Sequence, residues 1–152
     1  MKKEKRQMKR KGWIGLLLIF ALAGCGGRNT PSKEEIEMKL QVLVNGHTLT
    51  ATLEENASGR AFYELAKEEL TLSLSEYGGF EKVGPIGKTL LSNDKRITAK
   101  PGDLILYNGN QLSLFYGSNT WSYSKLGSID HVDTIDLASI LGDGDVTVIF
   151  TI

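Results

Sequence analysis

The sequence predicts a mainly β domain over residues 36–152, a small antiparallel barrel of some eight strands with two short helices. Three observations carry this. Apolar residues alternate with polar ones in short runs, the pattern of strands with one buried face. Two of the turns between runs are Asn-Gly pairs, Asn45-Gly46 and Asn108-Gly109, which accept positive φ and so make tight hairpins. Helical spacing behind a capping residue occurs only near 57–69 and 134–141.

Taken in order, Ile36, Met38, Leu40, Val42 and Val44 alternate as a strand, and Leu49, Ala51 and Leu53 return from the first Asn-Gly turn. Asn56 or Ser58 caps a helix that carries Phe62, Leu65 and Ala66. Alternation resumes at Leu70, Leu72 and Leu74, and Gly78-Gly79 marks a bulge or sharp bend before Phe80 to Val83. Residues 84–99 are irregular, with turn signals at Gly84-Pro85 and Ser92-Asn93-Asp94. Pro101-Gly102-Asp103 opens a strand from Leu104 to Tyr107, the second Asn-Gly turn leads into Gln111 to Tyr116, and Trp121 to Leu126 is one more strand. Asp133 is the expected cap of a helix over 134–141, ended by Gly142. Val146, Val148, Phe150 and Ile152 then share one face of a final strand.

Composition narrows the function classes. A chain of 152 residues that is 41% hydrophobic holds one domain of ordinary size, and a single cysteine allows no intrachain disulfide. The net charge of zero hides an asymmetry. Seven of the eighteen lysines and arginines, against the single acid Glu4, lie in residues 1–24, which leaves eleven bases and seventeen acids beyond them. An acidic body lacks the cations that replace phosphate counterions, so nucleic acid is not an expected partner.

The first residues read as an address. A basic stretch to Lys11 precedes an uncharged, mostly apolar run over 13–24, shorter than the roughly 20 residues of a membrane span. Leu22-Ala23-Gly24-Cys25 resembles the lipobox of bacterial lipoproteins. That resemblance implies a signal peptide over 1–24, diacylglycerol on Cys25, a flexible lipidated tether over 25–35, and an exported body held at the membrane facing away from the cytoplasm.

The middle of the chain, Leu74 to Pro85 (Leu-Ser-Glu-Tyr-Gly-Gly-Phe-Glu-Lys-Val-Gly-Pro), resembles a signature of the bacterial cyclophilin-like domain family. So do Pro101 to Gln111, Phe115-Tyr116-Gly117 and Trp121 to Gly127. The resemblance runs from about Met38 to Ile152 and implies a closed eight-stranded barrel with two helices over its open ends, residues 36–152 forming the domain.

In cyclophilins an arginine inside an aromatic pocket donates to the prolyl amide. Past the tether the chain has two arginines, Arg60 on the expected first helix and Arg96 after a turn, and neither stands in the aromatic–histidine–arginine strand motif of those enzymes. They are the candidate donors if the chain is a divergent peptidyl-prolyl isomerase acting on exported proteins. The preferred expectation is binding without catalysis. Seven of the ten aromatics after the signal fall between residues 77 and 123. Tyr77, Phe80, Tyr107, Trp121 and Tyr123, with the polar Glu81 and Gln111, are the candidate lining of a groove for a small molecule or an extended peptide. Asn108 and Asn110 lie beside them and also explain a turn, while Glu81 and Gln111 would otherwise stand on solvated strand faces. For the aromatics the competing role is domain core, above all for Phe115. An interaction module for an envelope protein is a further alternative.

No cofactor or metal is expected. Asp130, Asp133 and Asp136 at spacing three, with His131 between, could suggest a metal, but Asp133 is explained as a helix cap and Asp136 as a favourable first-turn charge. Asp143-Gly144-Asp145 lacks the remaining positions of a calcium loop, and His47 and His131 read as surface residues.

Overall fold

The computed structural model describes residues 36–152. The expected signal peptide, Cys25 and the tether to residue 35 lie outside the described residues.

β1 (Lys39–Val44) and β2 (His47–Leu53) form the first hairpin, with Asn45 and Gly46 at φ 46° and 77° in the two-residue turn. Helix α1 (Ala57–Ala66) starts at Asn56, whose side chain accepts from the Gly59 N–H, and it buries Phe62 edge-on against Phe150. β3 (Leu70–Tyr77) and β4 (Glu81–Pro85) flank the Gly78-Gly79 bend, where both glycines have positive φ. β5 (Lys95–Ala99), β6 (Asp103–Tyr107), β7 (Gln111–Phe115), β8 (Asn119–Ile129) and β9 (Val146–Thr151) complete a mainly β fold, with a 3₁₀ turn at Val132–Thr134 and helix α2 (Leu137–Leu141) before β9.

The nine strands are antiparallel neighbours in the order β2-β1-β9-β3-β4-β7-β6-β8-β5. A further pairing of β2 with β8, Ala51 to Ile129 through Leu53 to Gly127, joins eight of them into a ring. β5 stands apart from that ring. It pairs with β8 alone, along Asn119 to Tyr123.

Sequence expectation and structure differ at several places. Ile36, expected on the face of Leu40 and Val42, precedes β1 and is exposed, because no partner strand reaches it. The irregular segment contains the ninth strand, β5, with Ile97 and Ala99 as its apolar face. The single helix expected over 134–141 is a 3₁₀ turn and a five-residue helix, separated by an extended Ile135. Asp136 rather than Asp133 is the cap, because its carboxylate accepts from both the Ser139 N–H and the Ser139 hydroxyl. Ile152 lies past the end of β9 and is exposed instead of sharing the face of Phe150.

The main core fills the space among the ring, α1 and α2, and includes Leu40, Val42, Leu74, Leu104, Leu106, Leu112, Leu114, Leu126, Val148 and Phe150. β6 and β7 are buried on both faces. Leu104, Leu106, Leu112 and Leu114 belong to the main core, while Ile105 and Phe115 point the other way into a second cluster with Ala99 and Tyr123. Continuous apolar runs such as Leu104-Ile105-Leu106 are the signature of strands buried on both sides. This second cluster, partly roofed by Phe80, Ile97 and Tyr107, is the floor on which the candidate site is built.

Candidate functional site

A cleft of about 830 Å³ opens over the second cluster. Three pieces of chain wall it. The β3–β4 turn contributes Tyr77, Gly78, Phe80 and Glu81, the β6–β7 turn contributes Tyr107, Asn108, Asn110 and Gln111, and the first half of β8 contributes Asn119, Trp121 and Tyr123. All seven residues singled out from the sequence as groove lining meet here, as do Asn108 and Asn110.

The register explains the gathering. Tyr77 lies opposite Glu81, and Glu81 opposite Phe115, so all three project from one face of the β3–β4–β7 sheet. Ile97 lies opposite Trp121 and Lys95 opposite Tyr123, which turns those two aromatics to the same side of the β5–β8 ribbon. The rings form a continuous series. Tyr77 meets Phe80 edge-on at 6.1 Å, Phe80 stacks on Phe115 at 5.8 Å, Phe115 meets Tyr123 at 5.7 Å, and Tyr123 meets Tyr107 at 6.2 Å.

Core and groove roles therefore divide along this series. Phe115 is fully buried, as the core role requires, and Tyr123 is buried too while still facing the cleft. Tyr77 and Trp121 are 61% and 54% exposed at the rim. Large exposed aromatics lose favourable water-free contact unless something covers them. The Asn119 side-chain amide donates to the Tyr123 hydroxyl at 2.8 Å, and burial pushes that phenol up despite this bond.

Glu81 does not stand on a solvated strand face. It is 6% exposed, and its Oε2 is enclosed without a hydrogen-bond partner among the described residues. Burial holds its carboxyl above the usual range, with the Ser113 hydroxyl a partial offset.

Lys82, the next residue, points to the opposite face and is completely buried. Its Nζ donates to the carbonyls of Gly142 and Gly144, each at 2.7 Å, and pairs with Glu76 at 2.8 Å. Glu76 also accepts from the Tyr116 hydroxyl and the Gly79 N–H, and the bond from Lys82 holds its carboxyl below the usual range. Burial and then the Glu76 carboxylate push the Tyr116 phenol up to about 12. This network ties the β3–β4 hairpin that carries Glu81 to the loop after α2. Lys82 is not among the residues that the sequence pattern singles out. The available signal was the neighbouring strands: where β6 and β7 are apolar on both faces, consecutive residues of β4 are buried on both faces as well.

Neither arginine reaches the cleft lining. Arg60 is exposed on α1 and donates to the Glu55 carbonyl at 2.9 Å. Arg96 is exposed on β5 opposite Ser122, one residue out of phase with Trp121 and Tyr123, so it projects from the other side of the ribbon. Asp130 is occupied by the Thr52 hydroxyl and Lys39, and His47 and His131 are not buried.

The fold is similar to the solution structure of the hypothetical protein AF2241 from Archaeoglobus fulgidus, with a TM-score of 0.55 at 17% identity. The match covers 76% of this chain and 94% of that one, and likeness at this identity speaks for the fold alone. No curated protein matches the chain. The profile of the cyclophilin-like family matches residues 42–151, which takes in every strand that walls the cleft. That match spans most of the chain, and this chain belongs to the cyclophilin-like family.

Proposed function

We propose that this chain is a lipid-anchored barrel domain that holds a small molecule or an extended peptide in its aromatic cleft and carries out no reaction on it. The observation that carries the binding half is the convergence of Tyr77, Phe80, Glu81, Tyr107, Gln111, Trp121 and Tyr123 on one cavity of about 830 Å³. That volume lies in the range of small-molecule sites, and the lining has their usual make-up of apolar walls with a few placed polar groups. The non-catalytic half is supported by the position of Arg60 and Arg96 away from the lining, which leaves no arginine donor for the prolyl amide there among the described residues.

The envelope setting rests on Leu22-Ala23-Gly24-Cys25. Lipid on Cys25 would hold the body at the membrane facing away from the cytoplasm. Among the described residues no helix is long and apolar enough to cross a membrane. The mass of the mature N-terminus from native membranes checks this: diacylglyceryl-Cys25 is the expected species, and a free Cys25 thiol removes the anchor.

The binding reading is tested with the lipid-linked protein in detergent. Trp121 is the sole tryptophan beyond residue 24, so its emission reports on the cleft rim. A metabolite and short-peptide screen should yield compounds that shift both the emission and the unfolding midpoint, and Tyr123→Ala or Trp121→Ala should weaken them. A protein partner recovered with the cleft empty, and no compound found, would move the reading to an envelope interaction module.

A further inference from the structure

We infer that the cleft takes a ligand bearing a cationic nitrogen that still carries hydrogen, a primary or secondary ammonium or an amidinium, and that Glu81 is the group that receives it. This rests on the binding reading above and names the class of ligand for that same cleft.

Three observations converge on it. The first is the enclosed Oε2 of Glu81, which lies in the cleft wall with no donor among the described residues. Buried polar atoms normally have a partner, and the Ser113 hydroxyl that bonds this carboxyl leaves Oε2 unsatisfied, so a donor from outside would complete it. The second is the company it keeps. Tyr77, Phe80, Tyr107 and Tyr123 line the same cleft as Glu81, and ring faces attract cations. The third is the absence of a cation in the lining, which holds no Lys, Arg or His among the described residues. Lys82, the nearest residue in sequence that is positively charged, is committed on the opposite face to two carbonyls and Glu76.

The ligand so described needs its charge at one end and an apolar or aromatic body. An ammonium donating to Oε2 would satisfy the orphan acceptor, and its body would lie between Trp121 and Tyr77 at the rim, within reach of the amides of Asn110 and Gln111. An anionic ligand would meet Glu81 with like charge and no cation in the cleft lining; Lys95, which the register turns to the same side as Tyr123, lies on β5 outside that lining. A quaternary ammonium would match the rings but leave Oε2 without a donor, so hydrogen on the nitrogen is part of the recognition.

Three probes of one shape decide it: benzylamine, benzyl alcohol and benzoate, each titrated into the full lipid-linked protein in detergent and followed by Trp121 emission and by the unfolding midpoint. Benzylamine, protonated at pH 7, should bind about tenfold or more tightly than benzyl alcohol, as befits a charged hydrogen bond in an enclosed site, and benzoate should bind weakest. Glu81→Gln, which keeps the shape and removes the charge, should bring benzylamine to within about twofold of benzyl alcohol. Equal binding of all three probes to the native protein overturns the inference and leaves the cleft reading standing. Failure of all three to bind overturns it as well, and compounds from the wider screen then decide the cleft reading independently. Should Glu81→Gln not fold, the ranking of the three probes on the native protein decides the matter by itself.

Discussion

Replacing Lys82 with methionine isolates the value of the buried cation. Methionine keeps the length and much of the apolar stem, so packing on the main-core face is largely conserved while three polar contacts go. The Gly142 and Gly144 carbonyls lose charged donors at 2.7 Å, at about 1 kcal/mol each once the cost of burying the ammonium is set against them. Glu76, with its side chain 37% exposed, rehydrates on losing its partner, so that contact adds no more than about 1 kcal/mol. The expected loss is therefore about 2–3 kcal/mol. With an unfolding entropy of about 2.1 cal/mol/K per residue, a domain of this size has about 0.25 kcal/mol/K, and the midpoint should fall by about 8–12 °C. Calorimetry reads the midpoint, and amide hydrogen exchange should show faster opening at residues 142–145. Glu76→Gln, which leaves both carbonyl contacts in place, should cost less than half as much. A Lys82→Met protein as stable as the native one, or more stable, would refute the reasoning, since it would mean that burying the ammonium cost as much as its three contacts return.

Three further outcomes follow from the same geometry. Gly127→Ala places a Cβ 2.3 Å from the Thr52 carbonyl oxygen and 2.7 Å from the Leu53 Cα, so β2 and β8 must separate where the ring closes; urea unfolding should show a loss of about 2–3 kcal/mol, and a neutral result would mean the β2–β8 pairing is dispensable. The Glu76 carboxyl lies below its ordinary value of 4.5 in the folded protein, so its contribution is complete above that value and is lost as the pH falls below it; the stability gap between native protein and Glu76→Gln should hold at neutral pH and narrow below 4.5, and a gap that widens there would contradict the assignment. In a protease-coupled proline-peptide assay the native protein should match the uncatalysed rate, whereas an acceleration abolished by Arg60→Ala or Arg96→Ala would restore the isomerase reading.

How much of this was legible depended on what each signal encodes. Asn45-Gly46 and Asn108-Gly109 specify backbone dihedrals directly, and both turns have positive φ at both residues. Lys39 to Leu53 and Leu70 to Leu74 have one buried face each, so alternation located them. β5 escaped because only Ile97 and Ala99 are apolar in a five-residue strand that pairs on one side. Asp133 was the expected cap and Asp136 a first-turn charge, and Ser139 reverses the roles by supplying two donors to Asp136. The groove lining could be named because aromatics cluster in sequence where they cluster in space. The burial of Glu81 and Lys82 could not, since a charged pair in a strand reads as solvated until the double-faced neighbours β6 and β7 are known to flank it.

The position of β5 has a consequence for solubility. Every strand of the ring is hydrogen-bonded on two sides, but β5 leaves its outer row of N–H and C=O groups unpaired by any strand among the described residues. Such an edge is a template on which a second chain can polymerise. Here it is five residues long and carries exposed Lys95 and Arg96, with Lys100 directly after it. Positive charges that would be stacked against their own copies oppose edge-to-edge growth. Arg96 thereby acquires a reason to exist that involves no substrate: it is a gatekeeper, and exchanging Lys95 and Arg96 for β-branched apolar residues would leave the folded domain intact while turning its open edge into a site of aggregation.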